Sequence, residues 1–510
     1  MNPAALRFNI IPVLVGLFGL LIALILGMFI GGGEIINLAL IFGALIVVLT
    51  LAGMRQHIWL LIPLFWGFTG SVYILPIPFA VRDLAVMFTA AAGFALLALR
   101  IYRFRNKWGA VDFLVFLNLV PVILAFIANP VGLRALSSET VGARPYFNTV
   151  IGLFAYLIVS NQLILPNLAR KLPIFIFIPE AITSAITLFI RAVPSSGYVL
   201  GWIYSGFLPP TGTEAKVERI SVGSGNTLIL ILCSYFRPLT LLMPVKPGRL
   251  FLFLVAIVLI LISGFRNQLI TAIAIFCLAS YFRKGFTDLL PVLVGLTVAF
   301  VAVVLINAIY PLPLGMQRTL TFLPGKWDSR AVKDAENSTE WRLQMWKDIP
   351  KSGRYIRNPV MGDGFGFSRA ELQAMQREHY RTGDMSQEDF MIIGSFHNGP
   401  LSAIRFVGVV GLIIYYLLLI YTAIYAARLI RRAENSDFYP LALFVGLPLI
   451  WEPWNYTLVF GAYDAALPTA IFSVGMLKAI SNSMAAQQQS VKRKAAPSAG
   501  ETRRAEAIHS

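Results

Sequence analysis

Two cysteines and four histidines are all that 510 residues hold of those types, and charge is nearly as thin, at 13% Asp, Glu, Lys and Arg combined. Each shortage excludes something. A soluble chain carries about 25% charged residues, so an ordinary globular enzyme is ruled out. Cys233 and Cys277 both sit inside apolar runs, so no disulfide framework holds the fold. No Asp-x-Asp pair or histidine–carboxylate cluster occurs, and Glu34 and the Glu388-Asp389 pair are the only carboxylates placed to invite a metal. Neither a Ser-His-Asp nor a Cys-His constellation is visible. The glycines Gly362, Gly364 and Gly366 follow no strand and precede no P-loop lysine, which argues against nucleotide binding. We therefore expect no metal and no cofactor.

What is abundant is hydrophobicity. Apolar residues make up 57% of the chain, the mean hydropathy is +0.73, and long apolar runs recur along nearly the whole length. Each run is long enough to cross about 30 Å of hydrocarbon. The net charge of +17 lies in short clusters between these runs, the pattern of positive-inside topology rather than of a nucleic-acid partner. The first run, 10–30, is too long for a secretory core and is followed by Gly31-Gly32-Gly33-Glu34, so it reads as an uncleaved span.

Spans are expected near 10–30, 36–53, 58–80, 84–101, 110–128, 149–165, 174–192, 225–243, 250–265, 268–282, 288–310, 400–427, 440–460 and 464–481. Every second connection is basic: Arg55, then Arg100 to Lys107, Arg170 with Lys171, Lys246 with Arg249, Arg283 with Lys284, and Arg428 with Arg431 and Arg432. About fourteen spans with both ends inside satisfy that alternation. The expected architecture is an all-α polytopic membrane protein. Residues 1–310 hold eleven transmembrane helices, 311–399 form a large outward loop with short helices, 400–481 hold three more, and 482–510 form a disordered basic tail.

The outward loop carries its own folding signals. Asn337-Ser-Thr-Glu340 fits a capping box opening a helix that Pro350 ends, and Ser368-Arg-Ala-Glu371 repeats the pattern for a helix closed by Gly383. Between them "NPVMGDGFG", 358–366, is turn chemistry, its glycines allowing a tight backbone path.

The segment "SFHNGPL", 395–401, sets His397 and Asn398 before a proline-initiated helix. The positive end of that helix disfavours imidazolium, leaving a base able to accept a proton, and it attracts anions. Three arginines lie on the outer side, where positive-inside gives them no reason: Arg266 in "SGFRN", Arg342 in "EWRLQMW", and Arg405 just inside the span after His397. Trp346 shares a helical face with Arg342. Guanidinium groups bind phosphate in a paired, planar fashion, so together these side chains form a candidate cationic site at the bilayer surface. The bland alternative is ion pairing within the loop. Glu180 and Glu452 are buried carboxylates inside spans, His379 and His57 read as surface, and Trp202, Tyr204 and Phe207 are aromatics placed either to stack on sugars or to anchor the interface.

The order "SGFRN", "EWRLQMW", "NPVMGDGFG", "FHNGPL" within a many-span chain resembles the bacterial O-antigen ligase and polysaccharide polymerase superfamily. The resemblance implies a fold like that of the C-type membrane glycosyltransferases. It implies an inverting, metal-independent transfer of a glycan from an undecaprenyl-diphosphate carrier at the outer face of the bacterial inner membrane. It places the donor diphosphate on Arg266 and Arg342, and the acceptor hydroxyl on His397, with Asn398 and Trp346 in support; Arg405 is a further candidate phosphate contact. The turn before Arg266 departs from the family's usual small-Ser-Arg-Gly. The acceptor is a second lipid-linked glycan for a polymerase, and lipid A-core or a protein for a ligase. The rival from another class is a transporter or flippase of lipid-linked glycans; such proteins place their sites near the midplane between repeats, and no internal repeat is visible.

Overall fold

The computed structural model describes residues 57–72, 79–98, 108–131, 140–207, 223–244, 246–382 and 387–495. The chain divides into two compact units, Met1–Leu60 and Leu61–Ser510. In the first, the described residues form one 3-10 turn, Ile58–Leu60. The spans expected at 10–30 and 36–53 lie outside the described residues, as does Gly383. All that follows concerns the second unit.

That unit is built of helices, with one small two-stranded ladder pairing Thr140–Val141 antiparallel to Phe367–Ser368. Among the described residues four helices are long and apolar enough to cross a membrane: Ala110–Ala128, Pro166–Ala192, Phe286–Ile309 and Gly399–Ala433. The chain is a multi-pass membrane protein. Helices also stand at Val81–Ala98, Arg144–Val159, Pro247–Ile262, Arg266–Lys284, Tyr439–Trp454 and Tyr463–Ala495, all near expected spans.

Several expectations are corrected. No continuous helix fills 58–80; Leu61–Phe65 is followed by Gly67 and Gly70, and Ser71 bridges back to Ala80. The run 225–243 splits into Ser224–Tyr235 and Pro238–Leu241, because Arg237 before the proline is extended. The last helix continues to Ala495, into the stretch read as tail. Within 311–399, the helix expected from Asn337 starts earlier, at Ser329. Asp328 is its N-cap, accepting from the Arg330 N–H at 2.8 Å. It also passes Pro350 to end at Ser352, before Gly353 in the left-handed region. The second capping box forms as read: Ser368 N–H donates to Glu371 Oε2 at 2.7 Å and Glu371 N–H to Ser368 Oγ at 3.2 Å, opening Arg369–Thr382.

The core that positions the site lies between Ala110–Ala128, Arg144–Val159, Gly399–Ala433 and Tyr463–Ala495. Among its buried polar groups is Asp112, fully buried and bonded to Lys478, the Tyr156 hydroxyl and the Gly109 N–H. A buried carboxylate is tolerable only when paired and hydrogen-bonded in this way.

Gly399–Ala433 is broken at Gly408, whose φ of 70° is left-handed. The loop segment 359–364 is spliced into the break. Val409 N–H donates to Pro359 O at 2.8 Å and Val410 N–H to Val360 O at 3.4 Å. In return the carbonyls of Arg405 and Phe406 accept from Asp363 and Gly364 at 2.8 and 3.1 Å. In an unbroken helix those carbonyls would accept from Val409 and Val410 themselves. Every backbone group freed by the break thus finds a partner, as burial requires. The glycines of "NPVMGDGFG" are what allow it. Gly362 has φ 82° and its absent Cβ would lie 2.5 Å from Phe406, while a Cβ on Gly408 would lie 2.0 Å from the Val360 carbonyl. Phe365 then enters the core against Tyr146 and Phe406, at ring separations of 4.7 and 4.6 Å.

Gly408→Ala combines positive φ with a backbone collision, so it should destabilise by more than about 2 kcal/mol. The expected result is a lower melting temperature in detergent and faster proteolysis within 353–366; a protein that melts like wild type would refute the splice.

Candidate functional site

His397 stands in the turn between fully buried Phe396 and the Gly399–Ala433 helix, with φ 51°. The left-handed region is uncommon for a residue with a side chain and marks a position held by its surroundings. Those surroundings are identifiable. Asn398 caps the helix, its Oδ1 accepting from Leu401 N–H at 3.0 Å. The Trp346 indole N–H donates to the Phe396 carbonyl at 2.8 Å, within a cluster of Met345, Ile349 and Phe396. From the other side, Gly399 meets the segment after Tyr439–Trp454: Tyr456 OH donates to Gly399 O at 2.7 Å, and a Cβ on Gly461 would lie 2.5 Å from the Gly399 Cα.

The imidazole lies among aromatic rings, with Trp341, Phe390 and Phe460 at centroid distances of 5.7, 5.6 and 5.2 Å. Its Nδ1 is buried and makes no hydrogen bond to any described residue. Burial, and secondarily the charge of Arg342, lower its pKa from 6.5 to about 4. At neutral pH the ring is therefore uncharged and can accept a proton.

The arginines divide. Arg266 opens its helix and reaches the Ser329–Ser352 helix, donating to Ala335 O at 2.6 Å and to Thr339 Oγ1 at 2.9 Å. Ala335, Thr339 and Arg342 follow i, i+4, i+7 spacing and share one helical face. Arg266 and Arg342 are thereby brought to one side of this helix, and the charge of Arg342 is felt at His397. Arg405 is used differently: its guanidinium forms an ion pair with Asp363 at 2.9 Å, both side chains largely buried. Asp363 also accepts from the N–H groups of Arg357 and Asn358 at 2.7 and 2.9 Å. The anion at Arg405 is a protein carboxylate that closes the spliced loop.

Residues 251–416 match the family model of the O-antigen ligases. The stretch contains Arg266, Arg342, Trp346, His397, Asn398 and Arg405, so the resemblance read from the motifs holds over the segment that carries them. No curated protein matches the chain.

Four contributors escaped the sequence reading. Trp341 and Phe390 lie within the O-antigen ligase match, beside motifs already quoted, and the tryptophan was legible in "EWRLQMW". Arg318, 3% exposed, binds Asp334 and the Gly264 carbonyl, fastening the "SGFRN" turn to the Ser329–Ser352 helix. Phe460 lies beyond the match, and only folding brings it to His397. Among the described residues no group of three His, Cys, Asp or Glu side chains converges.

Arg342→Gln should move the His397 pKa upward from about 4, since one of its two depressing causes is removed. NMR of ring-labelled histidine in detergent would read this, with His397→Gln assigning the signal; an unmoved titration would exclude the coupling. Because the folded pKa lies below the unfolded one, stability should fall as pH drops from about 6.5 towards about 4.

Proposed function

We propose that the chain transfers a glycan from a polyprenyl-diphosphate carrier to an acceptor hydroxyl, as a polysaccharide polymerase or O-antigen ligase. The bacterial inner membrane holds it, with the site at the outer face. The observation that carries this reading is a half-buried, uncharged imidazole within the field of Arg342, which stands on a helix that also receives Arg266. The match to the O-antigen ligase family supports it.

In this reading Arg342 and Arg266 hold the diphosphate. The acceptor oxygen attacks the anomeric carbon from the face opposite the leaving group, so configuration inverts. One C–O bond forms, the C–O bond to the diphosphate breaks, the hydroxyl proton passes to His397, and the lipid diphosphate departs with the electron pair. Negative charge grows on the leaving group, and pre-placed guanidinium groups stabilise it most at that moment. A diphosphate needs no general acid to leave; the hydroxyl is the weaker partner and gains from a base. Donor binding brings negative charge next to Arg342 and offsets that arginine's depression of the His397 pKa, so the base strengthens as the donor arrives. The aromatic rings exclude water, which would otherwise hydrolyse the donor.

Detergent-purified protein, an undecaprenyl-diphosphate oligosaccharide and a chelator test this, with products resolved by gel or mass spectrometry. Lengthening of lipid-linked chains identifies a polymerase; transfer only on adding lipid A-core or a protein acceptor identifies a ligase. His397→Ala should lower turnover by about 10²–10⁴, and Arg342→Gln should raise KM for the donor as well as lower kcat. Wild-type turnover in His397→Ala would exclude the base, and transport of the carrier without transfer would favour the flippase.

A further inference from the structure

The opposite ends of the same helices carry a second, unassigned feature, independent of the proposed transfer. A cavity of about 420 Å³ is lined by Arg170, Arg237, Arg283, Lys284, Glu434, Asn435, Ser436, Asp437, Tyr439 and Pro440. Its walls come from the C-terminus of Arg266–Lys284, the start of Pro166–Ala192, and the turn between Gly399–Ala433 and Tyr439–Trp454. A 19-residue helix spans about 28 Å at 1.5 Å per residue, so Lys284 lies a bilayer thickness from Arg266. By charge alternation this is the cytoplasmic face.

The walls are fixed. Arg283 donates to Cys233 O at 3.0 Å and to Ser234 O, and Tyr439 OH donates to Phe282 O at 3.2 Å. Asn435, at φ 65°, shapes the turn, which Ser436 N–H closes on Ala433 O at 2.9 Å. Arg237 is neutralised by Asp288. The remaining charges are of both signs and are held apart. Among the described residues neither Arg170 nor Lys284 forms an ion pair, and neither do Glu434 or Asp437, although all four are exposed and line one cavity. With both signs lining one cavity and neither used up in an ion pair, the lining complements a ligand bearing a cation and an anion together. Beside the cavity, Phe286 and Leu290 are 73% and 66% exposed on the Phe286–Ile309 helix, of which only 6% is buried. That helix offers an apolar track leading from the charged cavity into the bilayer.

We propose that this cavity binds the zwitterionic phosphate–ammonium headgroup of a phosphatidylethanolamine-class lipid. Arg170, Lys284 and Arg283 receive the phosphate, and Glu434 and Asp437 accept hydrogen bonds from the primary ammonium. A trimethylated ammonium has no N–H to give, and an anionic glycerol headgroup meets the two carboxylates unfavourably, so the site discriminates among phospholipids.

Native mass spectrometry of the full-length protein, titrated with phosphatidylethanolamine, phosphatidylcholine and phosphatidylglycerol of one acyl composition, tests this without any substitution. Ethanolamine lipid should bind about tenfold more tightly than either competitor, a difference near 1.4 kcal/mol. Glu434→Gln with Asp437→Asn should bring it down to the choline lipid, and Arg170→Ala with Lys284→Ala should weaken all three. Melting temperatures would verify that these exposed substitutions leave the fold intact. Equal binding of the three lipids, or wild-type binding by both double variants, would overturn the site. Soluble phosphoethanolamine binding as tightly as the lipid would overturn the membrane source.

Discussion

Everything around His397 depends on one exchange of backbone hydrogen bonds at Gly408. A break in an apolar helix leaves carbonyls and N–H groups without partners, and in a low-dielectric interior each costs about 1–3 kcal/mol if left so. Here the loop 359–364 supplies both the donors and the acceptors, while taking up the partners the helix gave up. The cost of breaking the helix and the cost of burying a loop cancel each other. Neither element is stable in this form without the other.

Two consequences follow for geometry. The Gly399–Val407 segment becomes a short independent helical piece of roughly 13 Å, free to take the direction that its own contacts dictate. The loop is pinned at membrane depth by Phe365 and by the Arg405–Asp363 pair, so the Ser329–Ser352 helix ahead of it packs over the start of that piece. Trp346 then holds the Phe396 carbonyl, and His397 is left in a turn at φ 51°, fixed on both sides by these contacts. An imidazole meant to stay uncharged beside a guanidinium needs that rigidity, because an unconstrained side chain would swing toward water and regain its ordinary pKa.

Buried charge in the core is paired: Asp112 and Lys478 neutralise each other, with Tyr156 completing the carboxylate's hydrogen bonds. The half-buried Arg266 reaches the face of the Ser329–Ser352 helix that carries Arg342. Pairing suits a structural role, since a satisfied buried pair leaves nothing for a ligand to gain. Arg405 and Arg318, each holding an aspartate, are paired in the same way.

Local signals were legible in the sequence because they act over three or four residues. The Ser368–Glu371 capping box and the Gly399-Pro400 helix start each depend on near neighbours, and each formed where the pattern placed it. The linear order of motifs was likewise sufficient to point to the family. What the chain did not disclose was which distant groups would meet. Asn337 looked like a cap but is helix interior, because Asp328 caps earlier and the amphipathic face extends back to reach Arg266. The pairing of Arg405 with Asp363, 42 positions earlier in the chain, was not legible either. Phe460 reached His397 only because Gly399 and Gly461 let two backbones approach without a Cβ between them. Propensity and capping are properties of a few consecutive residues; the partner of a buried charge, the closing of a broken helix and the walls around an imidazole are decided by which surfaces packing brings into contact.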